Sequence, residues 1–396
     1  MVTQADIVST KSWTVDDANQ SVSNIPENCI IVGMNATDPR NNPHNLISLE
    51  VEFLFDKIKA TILIPILFLV AFPSNCVNMA VFLKQGLRER INLCLFSLAL
   101  VDLIHVSAVF VFYAERIFTK FTDDERYGPV YKFMLDKRII VLFGFGYVDL
   151  LLVAVVASER CICVLFPLRA QRCIQTKTLA FFIIVSALAV VCLRLVLVFM
   201  YQSTCFYDLR TQRVSWRPYV NEYYFKNEAM IRAVNGVFYG FCLTVGCPVV
   251  VLIATIVTSV RLTHIVRWRN QTSSSLSSKE IGVTKMLIAL SIVNFVTCIP
   301  VITMRIAPLF EPRLGAAREY ANVFNLLISV IEICSYTNAT VNFFVYVLTG
   351  TRFRETLRSL SPLNKFKFSK SVSDTTVTNI LSTKVMRKTV PINDEY

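Results

Sequence analysis

Charge is scarce in this 396-residue chain. Asp, Glu, Lys and Arg make up 17% of it, against about 25% in a typical soluble domain, while hydrophobic residues reach 54%. A soluble fold of this length has too little interior to hide so much apolar side chain, so an ordinary soluble protein is excluded and lipid must solvate part of it. Histidine is scarcer still. His44, His105 and His264 stand far apart, which argues against a zinc hydrolase, including the helical-membrane kind. The first fifty residues are polar, acidic on balance, and hold no apolar run long enough for a signal peptide. No internal repeat divides the chain, which disfavours a two-halved transporter. The twelve cysteines fall mostly in apolar runs, where a thiol acts as a small hydrophobe. Lys and Arg outnumber Asp and Glu by 40 to 28, giving +12. In a soluble protein that excess would suggest nucleic acid; in a membrane chain it reports basic loops, and no nucleic-acid partner is expected.

What the chain has in abundance is apolar runs of roughly 20 residues or more, the length a helix needs to cross a bilayer. They extend from about Ala60 to Leu83, Leu93 to Ala114, Ile139 to Leu165, Thr178 to Tyr201 (interrupted by Arg194), Ala233 to Val260, Met286 to Thr303 and Phe324 to Leu348. The expected fold class is therefore an all-α membrane protein, a seven-transmembrane helix bundle with a short amphipathic C-terminal helix. Residues 1–57 are expected as an extracellular tail, 58–350 as the membrane domain, 351–362 as the amphipathic helix and 363–396 as a disordered cytoplasmic tail. Orientation follows from basic residues in short loops: Lys84, Arg88 and Arg90, then Arg169, Arg172 and Lys177, then Arg261, Arg267, Arg269 and Lys279, and the tail with Arg352, Arg354 and Arg358. These face the cytosol, which puts the N-terminus outside a plasma membrane. The sequons at Asn19 and Asn35 agree, as glycosylation candidates on the outer side.

A charge at mid-bilayer costs roughly 2.5–3.5 kcal/mol on insertion scales, so each needs a reason. Asp102 lies halfway along the second run and Asp149 halfway along the third. Asn75 and Asn78, three apart, share a face of the first, and Asn338 and Asn342, four apart, share one of the seventh. Lipid offers them no partner, so they point inward and meet. They either only bind the bundle together or form a hydrated core whose carboxylates hold a cation or share a proton. Arg160 lies three helical turns beyond Asp149, with Glu159 beside it and Glu280 at the start of the sixth run on the same side. A charge pair there would latch two helix ends; a snorkelling interface arginine is the alternative.

The stretch from Glu159-Arg160-Cys161 to Phe166-Pro167-Leu168, together with Leu98-Ala99-Leu100-Val101-Asp102, Asn75, Thr297-Cys298-Ile299-Pro300 and Asn342-Phe343-Phe344-Val345-Tyr346, then Phe353-Arg354, resembles the rhodopsin-like (class A) G-protein-coupled receptors. The resemblance covers about residues 60 to 360. It implies that the chain is no enzyme and that it binds an extracellular small molecule or peptide and activates a heterotrimeric G protein. It also implies that Asn75, Asp102, Asp149, Asn338 and Asn342 form a core like the family's sodium pocket, with Na+ the one candidate ion and no other cofactor or metal expected. Glu159, Arg160 and Glu280 would be the ionic lock and G-protein coupling site, and Pro300 and Tyr346 parts of the activation relay. Departures stand at Cys298, Phe343 and Ile256, where the family has tryptophan, proline and tyrosine. The outer end of the third helix, near Leu135, lacks the usual cysteine. Cys29 and Cys205 are the remaining external cysteines and are expected to pair.

An opsin would need lysine at Tyr336 and an amine receptor aspartate at Leu142. With those set aside, Arg305, Glu332 and Tyr336 are the ligand-pocket candidates, with Arg194 a weaker one. Arg305 and Glu332 either pair with each other or bind a ligand carrying both charges. Asn92-Leu93-Cys94-Leu95-Phe96-Ser97-Leu98 and the basic loop before it resemble invertebrate, gastropod-type chemosensory receptors; a neuropeptide receptor is the alternative, and a seven-helix transporter or channel a remote one. Thr351 to Leu360 reads as amphipathic, Phe353 and Leu357 opposite Arg354 and Arg358, suited to membrane lipid. Ser369, Ser371, Ser373, Thr375 and Thr376 are candidate sites for a receptor kinase and arrestin capture.

Overall fold

Seven helices of the computed structural model are long and apolar enough to cross a membrane. The structure describes residues 30–32, 44–118, 129–166, 175–208, 213–272, 278–315 and 318–360. The spans are α1 (Leu49–Gln85), α2 (Arg90–Phe118), α3 (Ile139–Leu165), α4 (Thr176–Val198), α5 (Glu228–Ile265), α6 (Ser278–Phe310) and α7 (Ala321–Thr349). A short amphipathic helix follows, α8 (Thr351–Leu360). The fold class expected from the apolar runs is the one observed, and the bounds of α3 and α8 coincide with it.

Helix α1 starts eleven residues before Ala60, where its apolar run begins. Ser48 caps it by accepting from the Val51 amide at 3.4 Å, and Glu50 and Glu52 favour its positive N-terminal end. At Lys59–Leu63 it widens into a π-helical turn. Pro73 in α1 and Pro300 and Pro308 in α6 lie inside helices, each leaving one carbonyl without its helical donor.

Helix α1 packs on α2 and α7, α6 on α5 and α7, and α3 runs among α2, α4 and α5. Buried residues such as Leu98, Leu152, Tyr239, Leu290 and Tyr346 form the main core. Phe181, Ile184 and Leu188 of α4 remain exposed, as suits a face turned to lipid rather than water. At one end a small sheet was not foreseen from sequence: β1 (Ile30–Val32), β2 (Tyr201–Asp208) and β3 (Arg213–Val220), in that order, with β1 parallel and β3 antiparallel to β2. This is the sheet end; the opposite one is the α8 end.

Arg138 joins three elements at the sheet end. Its backbone adopts the left-handed region (φ 60°), uncommon for a residue with a Cβ. Its guanidinium donates to the carbonyls of Val198 (3.0 Å) and Tyr201 (2.5 Å) and lies 5.2 Å from the Phe199 ring centre. The start of α3 is thus tied to the end of α4 and the start of β2.

Gly350 sets the turn into α8. A Cβ there would sit 2.7 Å from the Tyr346 carbonyl and 2.8 Å from the Met286 sulfur, so a larger residue would push α7 and α6 apart. Beyond it Phe353 is buried against Phe82 and Tyr346. Arg352 forms a two-pronged ion pair with Glu89 in the α1–α2 loop. The Arg352 hydrogen bond holds the Glu89 carboxyl below its ordinary 4.5, partial burial opposing it. A depressed folded pKa means the pair's contribution is full above about 4.5 and is lost as pH falls through the lower folded value. Both side chains are more than a third exposed, so the contribution is at most about 1 kcal/mol. Hydrogen exchange of α8 amides is therefore expected to stay constant from neutral pH to about 5, after correction for intrinsic rates, and to accelerate below 4.5; in Glu89→Gln that acid step is absent.

Candidate functional site

Midway through the bundle the polar residues of α1, α2, α3 and α7 converge. Asn342 Nδ2 donates to Asp102 at 2.8 Å, and Asn338 Nδ2 to Asp149 at 3.1 Å. Each carboxyl group is buried, at 2% exposure for Asp102 and 8% for Asp149. Asn75 Nδ2 donates to the Ala71 and Ala339 carbonyls, both at 3.0 Å, tying α1 to α7, and Asn78 donates back to Asn75 at 3.3 Å. Helix α6 contributes Thr297, whose hydroxyl donates to Asn338 Oδ1 at 3.3 Å, and Asn294, an acceptor for the Cys298 thiol. Three buried atoms here have no hydrogen-bond partner among the described residues: Asn78 Oδ1, Asp149 Oδ1 and Asn294 Nδ2. The cluster thus carries both an unpaired carboxylate oxygen and an unpaired amide donor, so its hydrogen bonding is incomplete.

Toward the α8 end, Glu159 is 3% exposed and bridges two arginines. Arg160 Nε donates to it at 2.6 Å, and Arg90 at the start of α2 pairs with it at 3.4 Å. The Cys163 thiol also donates to it, at 3.3 Å. Arg160 is partly buried, its side chain 19% exposed, with Nε committed to Glu159. Glu280 lies in α6, but its side chain is outside the described ones.

Two charge clusters occupy the sheet end. In the first, Lys59 is buried and donates to Glu332 at 2.6 Å and Ser329 at 2.9 Å, and pairs with Asp56 at 2.9 Å. Tyr113 donates to the same Glu332 oxygen at 2.5 Å. In the second, Arg305 reaches the Tyr147 hydroxyl at 3.4 Å, and the Arg194 guanidinium lies 5.5 Å from both the Tyr147 and Tyr239 ring centres.

A family model, the 7 transmembrane receptor (rhodopsin family), matches residues 75–346. The chain belongs to this family. No curated protein compared with it matches. Rhodopsin-family receptors are signalling receptors, not enzymes, and work with a ligand and a G protein.

In this receptor several sequence expectations need correction. Glu332 and Arg305 do not pair: Glu332 belongs to the Lys59 cluster and Arg305 to the Tyr147 cluster. Tyr336 is fully buried, and its hydroxyl donates to the Val106 carbonyl at 2.6 Å, so it joins α7 to α2 instead of facing an opening. Arg194 makes a contact within the bundle, on the Tyr147 and Tyr239 rings. Tyr346 is buried edge-on to Phe82. Cys205 is disulfide-bonded, whereas Cys29, Asn19, Asn35 and the tail serines and threonines lie outside the described residues. Lys59, Arg90 and Asn294 were missed as site residues. Lys59 precedes the apolar run by one residue, Arg90 was read only as a topology charge, and Asn294 is a lone amide in the sixth run, a signal that was there to be weighed.

Proposed function

We propose that this receptor senses a small extracellular chemical cue and activates a heterotrimeric G protein through Arg160. The observation that carries the reading is the way Arg160 is held: committed to Glu159, with Arg90 as that acid's second partner. A side-chain rearrangement that takes Arg160 off Glu159 frees a cation at the α8 end without leaving a buried carboxylate uncompensated, because Arg90 still pairs with it. In this reading the α8 end is cytosolic, supported by its basic loops, and the sheet end lies outside the plasma membrane. Glu280 completes the lock from α6, Tyr346 lies on α7 between core and lock, and Pro300 adds to the relay from the sheet side of the core. The bridge partner of Cys205 is Cys29. Supporting this, β1 begins at the next residue and Ile30 pairs with Phe206, the residue after Cys205. Asn19 and Asn35 are glycosylated, and the tail recruits kinase and arrestin while α8 rests on lipid.

The core fits Na+, with Asp102, Asp149 and the oxygens of Asn75 and Asn338 as its holders and Asp149 Oδ1 as the open position. A bound ion would neutralise the neighbouring carboxylates and hold α2, α3 and α7 together.

Chemosensory function rests on the resemblance of the Asn92–Leu98 segment to gastropod-type receptors. A neuropeptide ligand is the second reading, favoured by β3, which has no strand on its outer edge among the described residues, the kind of edge an extended peptide can join. The test is expression in cells with a broad G-protein readout, challenged with amino acids, small organic acids and short peptides. A response to small molecules, absent from vector-only cells, is expected. Responses to peptides alone would favour the second reading, and surface receptor with neither evoked nor basal G-protein activation would overturn both.

A further inference from the structure

Arg194 and Arg305 come from α4 and α6, yet both turn into the bundle toward one side chain, Tyr147 of α3. Arg305 Nη2 is 3.4 Å from the Tyr147 hydroxyl, and the Arg194 guanidinium lies over the Tyr147 and Tyr239 rings. The tyrosine rings meet edge to face at 4.7 Å, and the Tyr239 hydroxyl is committed to the Val190 carbonyl. Neither arginine has a carboxylate partner among the described residues, and Arg194 Nε is buried with no hydrogen-bond partner at all. The contrast with Lys59 is direct, since that buried cation is met by two carboxylates.

The backbone beside them is irregular. Helix α5 is π-helical from Ala233 to Gly246, a wider form frequent at functional sites. Gly240 faces the cluster: a Cβ there would lie 3.6 Å from Arg305 Nη1. Two guanidinium groups side by side repel, and each carries the cost of leaving water. Aromatic faces offset that only in part. What the arrangement lacks is an anion, and a carboxylate matches the guanidinium fork with two parallel hydrogen bonds.

We propose that Arg194, Arg305 and Tyr147 take the carboxylate of a small extracellular ligand, an assignment that rests on the receptor reading above. Because Glu332 is already paired with Lys59, the ligand's recognised charge is negative rather than of both signs. Arg305 supplies the fork, Tyr147 a neutral hydroxyl, and Arg194 the second positive charge.

The test uses the full-length receptor, purified in detergent, at pH 7.4 and constant ionic strength and sodium. The probes are butanoate and succinate, with butanamide and succinamide as uncharged counterparts. A carboxylate at about 100 times its Kd is expected to raise Tm by roughly 5 °C, and its amide to leave Tm unchanged. Arg305→Gln and Arg194→Gln are expected to lose the carboxylate response while their own ligand-free Tm holds or rises, because an uncompensated cation has been removed. Lower ligand-free Tm in both variants would identify the arginines as structural. Equal stabilisation by acid and amide, no stabilisation by either acid, or a response surviving in Arg305→Gln would also overturn the site. Basal G-protein nucleotide exchange on the same preparations separates the two levels of inference. If exchange persists while the carboxylates fail, only the anion site falls; if wild-type exchange is absent, the receptor reading falls with it.

Discussion

Replacing Arg160 by alanine is expected to silence G-protein nucleotide exchange while leaving the receptor in the membrane. The second half of that expectation comes from Glu159. It is nearly fully buried, and losing its only cation would be costly, since a stranded buried charge destabilises by about 3–5 kcal/mol. Here Arg90 remains at 3.4 Å and the Cys163 thiol at 3.3 Å, so the carboxylate stays compensated. Surface receptor counted by antibody should match wild type, and exchange on purified heterotrimer should fall to the level without receptor. Glu159→Gln should act in the opposite direction: Arg160 loses its 2.6 Å partner, and basal exchange rises. Exchange that survives in Arg160→Ala at normal surface level would remove Arg160 from the coupling role.

Lys59→Met is expected to cause a large loss of stability. The ammonium is 3% exposed and joins Asp56, Glu332 and Ser329. Methionine preserves the length of the stem but leaves two carboxylates facing each other across α1 and α7. Because Glu332 is a third exposed, water softens the penalty to the lower end of the buried-pair range, about 3 kcal/mol, or a fall in Tm on the order of 10 °C in detergent. Adding Glu332→Gln removes one of the stranded charges and should recover part of the fall. If the double variant is no more stable than Lys59→Met, the cluster is not the source of the loss. The pair also fixes where α1 meets α7, a contact the upper part of α1 makes through residues outside its apolar run.

That last point shows what was legible. Span count, the bounds of α3 and the position of α8 follow from run length and amphipathic spacing, which are local quantities. Asn338 and Asn342 could be assigned to one face because i and i+4 stack on a helix, but which carboxylate each would meet depends on how α7 is rotated against α2 and α3. The same rotation separates Glu332 from Arg305: both sit at the sheet end, and only tertiary packing says that one faces α1 and the other α3. Lys59 was hidden by a counting convention. The apolar run starts at Ala60, yet the helix starts at Leu49, because a serine cap and packing on α7 hold eleven residues, five of them charged, in helical form. The β1–β2–β3 sheet had no turn signal strong enough to stand out in the long segment after α4.

Arg138 gives the sheet end a chemistry of its own. The sheet end of α3 is held by hydrogen bonds from one guanidinium to two carbonyls, whereas the bridge at Cys205 lies in β2. These two fastenings answer to different agents. A thiol reductant reaches only the second, so it can loosen β2 from its covalent partner while α3 keeps its register beside α4. Loss of the bridge would therefore alter the sheet before it altered the helix that carries Tyr147, Asp149 and Arg160.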